Sequence, residues 1–107
     1  MCGVAGFIHN DCLAPDSCES IARQMARSLK HRGPDGEGHW QDNGVSLSQA
    51  RLAVIGLGKA GAQPMLSPSG RYVITFNGEI YNHLDIRKQI EAKQAGPEWR
   101  GTSDTET

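Results

Sequence analysis

Residues 3–9 (GVAGFIH) form a short apolar run of small and branched side chains, which predicts a buried strand. The period then changes. Cys18, Ile21, Ala22, Met25, Ala26 and Leu29 recur at helical spacing with Arg23, Gln24, Arg27 and Lys30 opposite, predicting an amphipathic helix. Asp16 followed by Glu19 predicts a capping box at its start, and Gly33-Pro34 stops it. Residues 38–41 and 45–52 predict two strands joined at Asp42-Asn43-Gly44. Residues 72–76 are another β-rich run, and Asn77-Gly78 predicts a hairpin turn before Glu79-Ile80-Tyr81. Leu84, Ile86 and Ile90 mark a second helix, capped by Asn82 with Asp85 and ended by Gly96-Pro97. Ser103-Asp104-Thr105-Glu106 is a further capping box, so a helix is expected to open where the chain stops, as in a fragment of a longer protein.

Composition narrows the classes. At 107 residues the chain is one domain at most, and 37% hydrophobic with 21% charged residues suits a soluble globular protein rather than a disordered one. A net charge of -1 gives no bias toward nucleic acid or an anionic membrane. No apolar run is long enough to span a bilayer, and no secretory signal opens the chain, so the cytoplasm is expected. Three cysteines suggest no disulfide framework. His9, Cys12 and Cys18 match no zinc spacing, and His31, His39 and His83 are scattered, so no metal site is expected.

Gly56-Leu57-Gly58-Lys59-Ala60-Gly61 has the wording of a dinucleotide fingerprint, but Pro64 and Pro68 break the helix that the pyrophosphate would need. A long surface loop is predicted there instead. Two other features carry chemistry. Cys2, once Met1 is removed, holds a thiol and a free α-amine on one residue, so nucleophile and base coincide. The Asn77-Gly78 turn can present a side-chain amide and a backbone N–H to one spot, two donors suited to an oxyanion.

Three blocks act together: Met1-Cys2-Gly3-Val4-Ala5-Gly6-Phe7, His31-Arg32-Gly33-Pro34-Asp35-Gly36 and Phe76-Asn77-Gly78-Glu79-Ile80-Tyr81-Asn82-His83. They resemble the glutaminase domain of class II glutamine amidotransferases, which are N-terminal-nucleophile hydrolases, and among these the glutamine-hydrolysing asparagine synthetases. Residues 51–55, 60–65 and 103–106 fit the same family in order and spacing. The resemblance implies an α+β fold, part of a four-layer α/β/β/α sandwich truncated at its C-terminus, with residues 1–107 an incomplete glutaminase domain. It implies Cys2 as nucleophile and Asn77 and Gly78 as the oxyanion hole. It places glutamine on Arg51, Val54, Asn77, Glu79 and Asp104, with Arg51 on the α-carboxylate and Glu79 and Asp104 on the α-ammonium. A planar cation and paired anions are what a zwitterion requires.

The ammonia released is expected to pass to a C-terminal synthetase domain, absent from these residues, that activates aspartate with ATP and Mg²⁺. No cofactor is expected in the 107 residues themselves, which alone should be inactive. The resemblance leaves room for a homodimer of the full enzyme. Two alternatives stay open: the glutaminase half of another ammonia-donating synthetase, and a non-catalytic remnant.

Overall fold

A computed structural model of the chain describes residues 1–10, 13–53, 58–93 and 96–107; Cys12 and Val54 lie outside them. Strands β1 (Gly3–Ile8), β2 (Gly36–Asp42) and β3 (Val45–Arg51) form an antiparallel sheet in the order β1-β3-β2. The β2–β3 hairpin closes where Asn43 (φ 39°) and Gly44 (φ 82°) both take the left-handed conformation, the backbone that a two-residue primed turn demands. Helix α1 (Pro15–Ser28) lies on one face. Its buried residues Cys18, Ala22 and Ala26 are small, and so are Ser46, Ser48 and Ala50 on β3, so helix and sheet approach closely. At the sheet's end a Cβ on Gly3 would stand 2.8 Å from Leu29 Cβ. Glycine is what lets Leu29 cover that corner.

The first helix does not begin with the predicted capping box. Ala14 is the N-cap, Pro15 takes the first helical position, and no side chain caps the end. Proline presets the helical φ and has no N–H to satisfy, so the helix starts before Asp16 can act as cap. Glu19 turns outward instead, to Arg23 at 2.9 Å and His39 at 3.4 Å, while Arg23 also reaches Glu37 at 3.6 Å. Such half-exposed pairs add little energy each, but they register α1 against β2. Cys18 and His9 are joined at 3.2 Å. His9 Nδ1 donates to the Asn10 carbonyl at 3.0 Å, which leaves Nε2 to accept from the Cys18 thiol. This buried cysteine is a structural tie between β1 and α1.

The second half is held differently. Strand β4 (Met65–Leu66) pairs with β5 (Val73–Ile74), and a single 3-10 turn spans Lys59–Gly61, so no helix opens at Gly61. Val73–Ile74 is all that remains of the strand expected over residues 72–76. No hairpin forms at Asn77-Gly78, because the backbone groups around it are captured by side chains. Phe76 N–H donates to Gln63 Oε1, Phe76 O accepts from Gln49 Nε2, and Ile80 N–H donates to Asp104. Helix α2 (His83–Lys93) also departs from its pattern: Leu84 is 58% exposed, and the buried side chain is Arg87. The predicted terminal helix is a 3-10 turn, Asp104–Glu106, whose cap Ser103 accepts from Thr105 N–H. Glu106 does not complete the box; it accepts instead from the backbone N–H groups of Arg100 and Gly101. No helix among the described residues is long and apolar enough to cross a membrane.

Candidate active site

The register of β1 on β3 builds the site's first half. Gly3 pairs with Ala50, so the antiparallel strands set Cys2 beside the C-terminal end of β3. There the Cys2 thiol accepts from Leu52 N–H at 3.3 Å and donates to Leu52 O at 3.4 Å. The nucleophile candidate thus meets Leu52, the residue after Arg51, across fifty residues of sequence because two strands pair. The His31–Gly36 block serves that same strand end. Asp35 N–H donates to Arg51 O at 2.9 Å and Asp35 Oδ2 accepts from Ala53 N–H at 2.8 Å. A Cβ on Gly33 would sit 2.2 Å from Ala50 O, so only glycine permits this crossing. His31 and Arg32 themselves are exposed.

The second half comes from residues 76–80 and the terminal turn. Asp104, 7% exposed, accepts from Ile80 N–H and from Thr105 N–H, each at 2.8 Å. It thereby ties the segment after Gly78 to the turn. A Cβ on Gly78 would approach the Phe76 ring to 2.5 Å, so the glycine lets that ring fold across the turn. One cavity of about 510 Å³ is lined by Cys2, Arg51, Asn77, Gly78, Glu79 and Asp104, together with Met1, Gln49, Gln63, Phe76 and Tyr81. Every predicted site residue that is described therefore shares one chamber. Arg51 is half-buried and its Nη1 donates to Gly58 O at 3.2 Å. Glu79 is exposed and Asn77 half-buried. Among the described residues no group of three His, Cys, Asp or Glu could hold a metal ion.

Sequence reading missed the amides that set the chamber's wall. Gln49, 1% exposed, donates to Gln63 Oε1 at 2.9 Å and to Phe76 O at 3.2 Å. Gln63 accepts from Phe76 N–H at 2.6 Å and donates to Thr105 Oγ1 at 3.1 Å. This relay joins β3, the loop before β4, the segment after β5 and the terminal turn. The available signal was Gln49 lying on the strand face opposite Ser46, Ser48 and Ala50, with Gln63 inside one of the motif blocks. Gln63→Leu should leave Phe76 N–H and one of the two Gln49 amide hydrogens without a partner, while the Gln49 bond to Phe76 O remains. A loss of about 1–3 kcal/mol of stability is expected for each buried group left unsatisfied. Thermal unfolding checks the total, and accelerated hydrogen exchange at Phe76 locates it.

The arrangement combines a thiol with one guanidinium and two carboxylates, a charge pattern complementary to an α-amino acid head group. Over residues 1–107 the chain matches the family described as a glutamine amidotransferase domain. It is 38% identical over 107 residues to glutamine-hydrolyzing asparagine synthetase 1 of Bacillus subtilis, covering 99% of this chain and 16% of that protein. It is 39% identical over 97 residues to asparagine synthetase 1 of Saccharomyces cerevisiae, covering 90% of this chain and 16% of the relative. A probable asparagine synthetase of Schizosaccharomyces pombe is 38% identical over 91 residues, 85% of this chain and 16% of that protein. The chain thus spans 16% of the length of these curated relatives.

Proposed function

From the class II glutamine amidotransferase domain family, to which the chain belongs, we propose that it is the glutaminase half of an asparagine synthetase-like enzyme. The observation that carries this reading is the single cavity in which Cys2 shares its walls with Arg51, Asn77, Gly78, Glu79 and Asp104. Arg51 receives the α-carboxylate of glutamine, and Glu79 and Asp104 receive its α-ammonium, which leaves the side-chain amide for Cys2. Val54 is assigned to the same subsite on family resemblance.

In the processed chain the Cys2 α-amine takes the thiol proton as sulfur bonds to the amide carbon. Asn77 and Gly78 donate to the resulting oxyanion. The proton then goes to the amide nitrogen, the C–N bond breaks, and ammonia leaves a γ-glutamyl thioester. Water adds to that thioester, the C–S bond breaks, and glutamate and the free thiol are regenerated.

The names of the relatives support aspartate as the ammonia acceptor, amidated by a synthetase domain with ATP and Mg²⁺ outside these residues. The sheet with α1 on one face supports two layers of a four-layer sandwich, and the cytoplasm is the compartment we assign. A chloroketone analogue of glutamine tests the reading, since the thiolate displaces chloride to form a C–S bond. In the complete enzyme, labelling should fall on Cys2, saturate with reagent concentration, and be blocked by glutamine. Labelling that glutamine does not slow would overturn it and favour a non-catalytic remnant.

A further inference from the structure

The buried side chain of helix α2 is a cation, and that cation grips the segment that carries Asp104. Arg87 is 9% exposed. Its Nη1 donates to Gly101 O, its Nη2 to Ser103 O and its Nε to Thr107 Oγ1, each at 2.8 Å. Glu106 lies 3.5 Å from Nη2, and the guanidinium stacks 4.2 Å above the Trp99 ring. All the guanidinium nitrogens are thus spent on one loop. Isolated burial of a guanidinium is costly, and satisfying it from Ser103 O on one side of Asp104 and Thr107 Oγ1 on the other holds the turn between them. Here the carbonyls at 101 and 103 lead directly into Asp104, whose carboxylate in turn holds Ile80 N–H.

We infer that Arg87 is a positioning residue for glutamine recognition, acting through Asp104 and not by touching the substrate. It does not line the cavity. This inference rests on the proposed glutaminase reading. A lysine at 87 keeps the charge but cannot donate in a planar fork to two carbonyls and a hydroxyl, so the turn that aims Asp104 loosens while the helix persists. Displacement of a recognition group by about 1 Å can cost up to a hundredfold, and about tenfold is expected here.

The test uses the complete enzyme and two thiol reagents. The chloroketone analogue of glutamine carries the α-amino acid head group, and iodoacetamide lacks it. In Arg87→Lys the half-saturating chloroketone concentration should rise about tenfold, whereas the rate of Cys2 alkylation by iodoacetamide should stay within about twofold. Placed in an Asp104→Asn background, Arg87→Lys should add less than about twofold, because both changes act on one contact. Thr107→Val removes only the Nε partner and should shift the chloroketone value in the same direction by a smaller factor, even where the lysine variant folds poorly. An unchanged chloroketone value in Arg87→Lys, full additivity with Asp104→Asn, or a parallel fall in iodoacetamide labelling would overturn the inference while leaving the glutaminase reading intact. Wild-type enzyme whose Cys2 labelling is not blocked by glutamine would overturn both.

Discussion

A complete enzyme with an uncleavable N-terminal tag should lose glutamine-dependent synthesis while keeping synthesis from ammonia. With Met1 retained, the nitrogen of Cys2 is a peptide nitrogen and cannot accept the thiol proton. Loss of a general base typically costs about 10²–10⁴ in rate. Met1 also lines the cavity with Cys2, so the retained residue occupies space beside the thiol that the substrate requires. The thiol would still react with iodoacetamide. Cys2→Ala should reproduce the activity loss of the tagged enzyme without that labelling, and a C-terminal tag should leave glutamine hydrolysis intact. Cys18→Ala should not reproduce it, since Cys18 is buried between α1 and the sheet and bonded to His9. Glutamine hydrolysis at the normal rate by the N-terminally blocked enzyme would refute the free-amine mechanism.

Arg51→Ala should raise the glutamine KM with a much smaller change in kcat. Losing one partner of a buried charge-assisted pair costs about 2–5 kcal/mol, which corresponds to about 30-fold to a few thousand-fold in KM. The backbone bond from Asp35 N–H to Arg51 O survives the substitution, so the end of β3 keeps its anchor. On the proposed reading ammonia-dependent synthesis bypasses the cavity, so it should be unaffected. Arg51→Lys should fall between wild type and alanine, because a lysine retains charge but not the planar pair of donors that a carboxylate matches. Steady-state kinetics with glutamine and with ammonia separate these outcomes. Equal loss of both activities would assign Arg51 to the fold instead.

Both predictions depend on residues that meet only in three dimensions, yet most were identifiable from local wording. Cys2 follows the initiator, Arg51 ends a β-rich run, and Asn77-Gly78 has the composition of a turn. Their types point to chemistry because few residues can act as nucleophile, planar cation or amide donor. The supporting groups were not identifiable in this way. Arg87 sits in a helical pattern beside Ile86 and Ile90, where an arginine ordinarily faces water. Its burial comes from the carbonyls at 101 and 103, and nothing within its own helix specifies them.

By itself the sequence determined the presence of the elements whose patterns repeat locally: α1, the β2–β3 hairpin with its Asn43-Gly44 turn, and β1, though not the burial expected of β1, whose Val4 and Ile8 are exposed. Side-chain period and turn stereochemistry act over a few residues, so they are written into short windows. Tertiary structure alone decided that β1 adds to β3 so that Cys2 lies against Leu52. It also decided that Asn77-Gly78 closes no hairpin. A turn signal becomes a hairpin only if the flanking backbone groups find each other, and here Gln49, Gln63 and Asp104 supply competing partners from distant parts of the chain. Buried backbone groups must be satisfied, but the identity of the partner is set by which segments pack together.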